Sequence, residues 1–579
     1  MSIDNASRDV GAASVRRSAS ALSGVTGLGW AWWVTGLLLL AMGAYFVRHE
    51  GWPANVVFTM ALTGVLISIL ILATRRVLFA TSVVAAAVAV IVIAATIKYS
   101  YMGMVLHAYD VAFYLFSRDT LWYLWIDFRA ELITLVVVMV VLAVGGYLLY
   151  RTDPTRMTRR VSGSLLAVLL LVSVAADYLR GQRPHTLFYW DALFVSSFYS
   201  SWSETLVTLW RGQMIEASAS DGSVRPFIEP TSCPVSRRPP HIILIHQESV
   251  VPPSIFPSIN YDRSIDPLFR SGDGKVHLLR TETFGGASWL TEFSVLAGVS
   301  TYSFGGMRTF VQSMLQGKVH DSVTQSLVRC GYKNVMFYPV PKHFVSSGKF
   351  YASIGFDEIN DYAAQKSKRY NERDRFYYKN ALDRLDVHLT KSKGPLFSYI
   401  LTSATHLPYT SPHSPEENVP GGRPGTEPQM HEYLRRLSLA RIDLEWFRAE
   451  LKRRFPNERF LIVQYGDHQP VVTRPHLGFG ADVESQNVIM EPESKGFLTY
   501  YAAEGINFEV PQLPTVEVLD VPYLGTLMLQ LAGLPLSPAQ EERMRLLARC
   551  GGRYYMCPHS GEILAFHRRL IDSGLLVAR

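Results

Sequence analysis

A chain of 579 residues is longer than one compact domain holds, so at least two folding units are expected. Its hydrophobic share of 48% is ordinary, but the apolar residues crowd the first third of the chain. The net charge of +7 rests on arginines at the ends of apolar runs, which speaks against a nucleic-acid partner and for membrane topology, with lipid-headgroup affinity second.

Five runs approach or reach the ~20 apolar residues that cross a bilayer, at about 28–47, 55–74, 77–97, 132–149 and 161–179. The first starts too far in, and runs too long, for a cleavable signal peptide, so it is expected to be retained. Arg8, Arg16 and Arg17 precede it, Arg75 and Arg76 separate the second and third, and Arg151, Arg156, Arg159 and Arg160 separate the fourth and fifth. The alternate loops hold fewer basic residues. By the positive-inside rule the N-terminus is cytoplasmic, and five crossings put everything beyond the last run outside. A multi-pass protein of a bacterial inner membrane with a periplasmic or extracellular domain is the expectation.

Residues 186–213 mix Phe188, Tyr189, Trp190, Phe194, Phe198, Tyr199, Trp202 and Trp210 with Ser, Glu and Arg. This reads as an amphipathic helix at the membrane interface, or one packed on the following domain. The stretch 217–240 is rich in Ser, Pro and Arg and marks a linker. Cys233, Cys330, Cys550 and Cys557 all lie beyond the last apolar run, where disulfides are permitted. Cys550 and Cys557 are close enough to close a local loop, but spacing leaves the pairing open. Cys233-Pro234-Val235-Ser236-Arg237 has the flavour of the sulfatase maturation motif, yet it lacks the proline at its third position and lies in the linker.

From His241 onward, near-continuous apolar runs at 241–246, 334–338, 396–401 and 459–465 alternate with helical patterns near 289–297, 323–330 and 431–454. Such runs suit strands buried on both faces, and the alternation predicts a doubly wound α/β domain. Ligands of such sheets bind beyond the carboxyl ends of the strands. Glu248 follows the first run, His406 the third, and Asp467-His468 the fourth, so these side chains are expected on one rim.

Two carboxylates and an imidazole, from Glu248, Asp467 and His468, form a mixed oxygen and nitrogen set suited to Zn²⁺ or Mn²⁺, with Mg²⁺ a third choice. Gly285-Gly286-Ala287-Ser288 leads into a helix whose first amides can hold a phosphate. Ser288 is therefore the candidate nucleophile and the fourth ligand at the metal; the plainer alternative is a helix N-cap. Thr281, Thr283 and Thr291 are rivals. His406 is the candidate catalytic and substrate-binding histidine, and His343 and His476 are weaker substrate-binding candidates.

At these residues the sequence resembles the lipoteichoic acid synthase type of phosphoglycerol transferase within the alkaline phosphatase/sulfatase superfamily. IILIHQES is similar to the family's strand ending in its metal-binding Glu, here Glu248, and GASWLTEF to its nucleophile loop, with Ser288 where Thr is usual. TSATHLPY is similar to the strand carrying the substrate histidine, here His406, and YGDHQP to the Asp-His metal motif. GYKNVMFYP departs from the family at Tyr338-Pro339, where a pair ending in His-Gly is usual. The resemblance implies an α-helical membrane domain of five transmembrane helices followed by an α/β alkaline phosphatase/sulfatase-like domain. The expected limits are a cytoplasmic tail at 1–27, the membrane domain at 28–179, the interfacial helix and linker at 180–239, and the catalytic domain at 240–579.

It also implies one divalent metal ion, a phospholipid donor with phosphatidylglycerol preferred, a periplasmic or surface glycan acceptor, and a covalent phospho-serine intermediate. Phosphoethanolamine transfer to lipid A or glycan is the alternative on the same core. A transporter or glycan-binding scaffold is the non-enzyme alternative, weakened by the scarcity of ionisable residues in the spans.

Overall fold

The computed structural model describes residues 29–102, 104–114, 118–180, 193–212, 214–219, 225–230, 232–234, 238–344, 347–392, 394–419, 428–478 and 491–578. The chain divides into two compact units, one within Met1–Ala112 and Leu124–Val207, the other within Phe113–Tyr123 and Thr208–Arg579.

Five helices of the first unit are long and apolar enough to cross a membrane: Gly29–His49, Pro53–Thr74, Val77–Ser100, Arg129–Thr152 and Arg159–Arg180. Pro53 opens the second at a position where a missing N–H costs nothing. Arg75 closes it in the left-handed conformation, with its amide on the Ile71 carbonyl. The third begins on a cap supplied by the arginine-bearing loop. Asp153 Oδ2 accepts the Phe79 amide at 2.9 Å, and Thr155 Oγ1 accepts those of Val77 and Leu78 at 3.1 and 2.9 Å. Arg129–Thr152 buries none of its side chains, and a helix that is apolar and exposed all round belongs in lipid.

Within the expected interfacial segment 186–213 the described helix is Phe194–Arg211; residues 186–192 lie outside the described residues. Glu50 receives its first amides, Val195 on Oε1 at 2.9 Å and Ser196 on Oε2 at 3.0 Å, an anion where the helix dipole favours one. Asn55 and Thr63 of the second span bond Ser196 and Tyr199. One face of this helix is thus packed on the spans, while Trp202, Leu206 and Val207 are exposed.

The second unit is built on one eight-stranded sheet in the order β4-β3-β5-β1-β6-β7-β2-β8. The strands are β1 (His241–Gln247), β2 (His277–Arg280), β3 (Lys333–Phe337), β4 (Glu358–Asn360), β5 (Leu396–Leu401), β6 (Phe460–Gly466), β7 (Leu498–Ile506) and β8 (Val518–Asp520). Strands β4, β3, β5, β1 and β6 run parallel, and β1, β5 and β6 are buried along their whole length, as their apolar runs require. Strand β7 turns antiparallel to β6 and β2 antiparallel to β7, so the sheet is mixed rather than uniformly parallel.

Register decides what meets at the rim. His246 pairs with Leu401 on one side and Tyr465 on the other, and Gln247 pairs with Gly466. The next residues, Glu248 and Asp467, therefore leave the sheet side by side. Gly466 is required at this crossing, because a Cβ there would stand 1.9 Å from the Val250 carbonyl oxygen. Two disulfides brace the unit, Cys233–Cys330 and Cys550–Cys557. The second is the local loop the spacing allowed. The first occupies the cysteine of the maturation-like stretch, and no cysteine is free.

Candidate active site and metal centre

Glu248, Ser288, Asp467 and His468 converge on one point. Ser288 Oγ donates to Glu248 Oε2 at 3.0 Å and stands 3.4 Å from His468 Nε2. His468 Nε2 lies 3.3 Å from both Glu248 Oε1 and Asp467 Oδ2. Two ligands held at ~2.0–2.1 Å in a tetrahedral shell are about 3.3 Å apart, so these separations are compatible with one ion as well as with direct hydrogen bonds.

The local backbone explains the arrangement. Gly285 has φ +74°, and a Cβ there would meet Val471 at 2.7 Å. Ala287 is left-handed at φ 63° and ψ 42°, a conformation that costs a non-glycine residue roughly 1–2 kcal/mol and clusters at functional sites. Ala287, not Ser288, is the N-cap of the helix Ser288–Ala297. The plain capping reading of Ser288 is thereby overturned, and its hydroxyl is directed to Glu248 from the first helical position. The rival hydroxyls are engaged with backbone carbonyls: Thr281 on Phe497 at 3.1 Å, Thr283 on Gly286 at 2.6 Å, Thr291 on Asp467 at 2.7 Å.

The donor atoms are prepared for a cation. Asp467 Oδ1 is filled by the amides of Ser249 and His468, at 2.7 and 2.8 Å. Asp467 Oδ2 is buried and faces the Nε2 atoms of His246 and His468, at 3.1 and 3.3 Å. Such an oxygen is costly unless positive charge faces it. His468 Nδ1 donates to the Gln469 carbonyl at 3.0 Å, which leaves Nε2 to offer its lone pair. Burial alone would lower the His468 imidazole, but the Asp467 and Glu248 charges outweigh it and push it up to about 9. Burial would raise Glu248; His468, with His406 and His246 behind it, instead holds it well below the carboxylate range. In both cases the site presses for a cation between its carboxylates. The residues fit the divalent ion that the sequence resemblance implies.

Sequence reasoning missed His246. It offers a ligand-type atom within 4.8 Å of those of Glu248 and Asp467, and all three residues are buried. The signal was present, since a strand places residues two apart on one face, and His246 precedes Glu248 by two in an otherwise apolar run. Glu292, one helical turn after Ser288, is also buried here. Burial first, then the charges of Asp467 and Glu248, against the opposing pull of His246, push its carboxyl up to about 7.

His406 is exposed, and its charge acts on Glu248. Its Nδ1 pairs with the Leu407 carbonyl at 2.6 Å, leaving Nε2 for a substrate. Thr405 Oγ1 donates to the Glu248 carbonyl, tying this loop to the rim. From behind, the buried Arg436 guanidinium donates to the carbonyls of Ala404, His406, Pro408 and Ser411 and pairs with Glu432 at 2.9 Å. A rigid clamp therefore carries the exposed histidine. His343 is half-buried in the turn after β3, and its neighbour Phe344 stands edge-on to Trp289 at 6.2 Å between ring centres. His476 is held by Ser258 Oγ at 2.9 Å.

Residues 267–492 match the family model described as Sulfatase. Glu248 comes from the strand ahead of that match. An uncharacterized protein of Haemophilus influenzae is 24% identical over 444 residues, which cover 71% of this chain and 75% of that one. Among solved structures, the Streptococcus pyogenes phosphoglycerol transferase GacH in complex with sn-glycerol-1-phosphate is similar at a TM-score of 0.45 and 18% identity, covering 59% of this chain and 87% of that one. The Neisseria meningitidis lipooligosaccharide phosphoethanolamine transferase A (EptA), an integral membrane protein, is similar at a TM-score of 0.41 and 12% identity, covering 88% and 96%. Over residues 267–492 the chain is thus similar to the family described as Sulfatase.

Proposed function

We propose that the chain transfers phosphoglycerol from phosphatidylglycerol to a glycan hydroxyl outside the cytoplasm, through a covalent phosphate ester on Ser288. The observation that carries this reading is the Ser288 hydroxyl, 3.0 Å from Glu248 and 3.4 Å from His468 at the start of a helix. With no free cysteine to convert to an aldehyde, Ser288 is the available nucleophile of the sulfatase-type rim.

Glu248, Asp467, His468 and Ser288 would hold one divalent ion, Mn²⁺ or Zn²⁺, which when bound lowers the pKa of the hydroxyl and neutralises phosphoryl charge. Ser288 Oγ attacks phosphorus in line and gives its proton to Glu248 Oε2. The bond from phosphorus to the diacylglycerol oxygen breaks, and diacylglycerol leaves with a proton from His406 Nε2. In the second half the glycan hydroxyl gives its proton to His406 and attacks phosphorus. The bond from phosphorus to Ser288 Oγ breaks, and Ser288 takes its proton back from Glu248 Oε2. The amides of the first helical turn bind the phosphoryl oxygens throughout. His343 and His476 are assigned to the substrate beyond this core.

Incubation of the protein and Mn²⁺ with vesicles containing equal phosphatidylglycerol and phosphatidylethanolamine decides the donor. Diacylglycerol should appear in step with loss of phosphatidylglycerol. Loss of phosphatidylethanolamine instead would establish the alternative headgroup, and loss of neither lipid would sink both readings.

The arginine alternation and the two disulfides support an extracytoplasmic domain in a bacterial inner membrane. An alkaline phosphatase fused after Arg579 should be active and a cytoplasm-dependent fluorescent protein dark. The reverse pattern would invert the topology.

A further inference from the structure

His246 is buried to 1% exposure near the end of β1, and its contacts run from Asp467 on one side to two tyrosines on the other, the Tyr399 hydroxyl lying 3.5 Å from Nδ1. Nε2 stands 3.1 Å from Asp467 Oδ2. Nδ1 stands 3.0 Å from the Tyr465 hydroxyl, which is 2.6 Å from the Tyr399 hydroxyl. Both phenols are fully buried. A polar chain of this kind inside an otherwise apolar sheet costs desolvation unless every member is satisfied.

One proton order satisfies the line. Tyr399 donates to the Tyr465 oxygen, Tyr465 donates to His246 Nδ1, and His246 carries its proton on Nε2, facing Asp467 Oδ2. In the reverse order Nε2 would press a lone pair against a carboxylate oxygen. His468 needs no such help, because its Nδ1 is already committed to the Gln469 carbonyl. Asp467 Oδ1 is likewise committed to two amides, so Oδ2 is the one oxygen left to face an ion.

We infer that His246 is a positioning residue: oriented by the Tyr399–Tyr465 pair, it donates from Nε2 to Asp467 Oδ2 and aims that oxygen at the metal. This rests on the metal site proposed above. It makes His468 the coordinating imidazole and His246 its supporting partner, although both reach the same oxygen. A hydrogen-bonding partner behind a ligand typically changes metal affinity 10–100-fold.

The test uses the full-length protein in detergent, with Mn²⁺ alone as probe, titrated calorimetrically. His246→Leu should weaken Mn²⁺ binding about 10–100-fold. Tyr465→Phe, which removes the donor to Nδ1, should weaken it in the same direction. His246→Gln, which keeps an N–H donor near the Nε2 position, should recover most of the loss. Electron spin-echo spectroscopy of bound Mn²⁺ should show one coordinated imidazole nitrogen in the parent and the same one in His246→Gln. Two imidazoles in the parent would make His246 a ligand and overturn the inference while leaving the metal site standing. Unchanged affinity in Tyr465→Phe, together with unchanged affinity in His246→Leu or its failure to fold, would overturn it as well. A parent protein that binds no stoichiometric Mn²⁺ would remove the metal site itself, a distinguishable failure.

Discussion

Replacing Ser288 by Ala is expected to abolish headgroup transfer, a loss of at least about a thousandfold, while leaving the fold in place and three of the four metal-holding side chains intact. The side chain is small, and its one polar contact to a carboxylate, Glu248 Oε2 at 3.0 Å, can be taken over by water. The helix does not depend on it, because the cap is Ala287 and uses no side chain. Ser288→Thr should keep measurable activity, since it returns a hydroxyl to the same atom position. The rivals separate cleanly in the same assay. Thr291→Val removes a hydrogen bond to the Asp467 carbonyl and should cost stability, about 1 kcal/mol, more than it costs chemistry. Diacylglycerol release is the readout, and full activity in Ser288→Ala would end the nucleophile assignment.

Asp467→Asn should strip the metal. The amide side chain still offers Oδ1 to the Ser249 and His468 amides, so the loop should survive, but the charge on Oδ2 is gone. Affinity should fall by about 100-fold or more, beyond the 10–100-fold typical of supporting partners. What disappears is the stabilisation by ligand, about 2.7 kcal/mol at a hundredfold excess over the dissociation constant. Elemental analysis with thermal unfolding, with and without Mn²⁺, measures both halves. Glu248→Gln should behave alike, and metal retained at parental level in both variants would contradict the site.

Much of this was legible because the chemistry sits at the ends of apolar runs. β1, β5 and β6 are buried on both faces, so their sequences are continuous and their exits easy to place. The helices flanking them fell within a few residues of expectation. The other half of the sheet was hidden. β2, β4 and β8 span only four, three and three residues, too short for any periodicity to register. β7, Leu498–Ile506, mixes Thr, Tyr, Ala, Glu and Gly, so no continuous apolar run announces it. Cys233 and Cys330 lie 97 positions apart, and nothing local in either segment announces the pairing. His246 was passed over as one polar residue in an apolar strand, although its spacing from Glu248 places both on one face. The left-handed Ala287, which moves Ser288 from cap to first helical residue, has no signature in the letters Gly-Gly-Ala-Ser.

The most direct measurement is the site of the covalent intermediate. The full-length protein with Mn²⁺ and phosphatidylglycerol vesicles, quenched in acid before acceptor is added and digested, should yield one modified peptide. The account predicts a glycerophosphate mass increment on the peptide containing Gly285-Gly286-Ala287-Ser288, assigned by fragmentation to Ser288 and absent from Ser288→Ala. An increment on Thr283 or Thr291, or turnover with no modified peptide under the same quench, would contradict it.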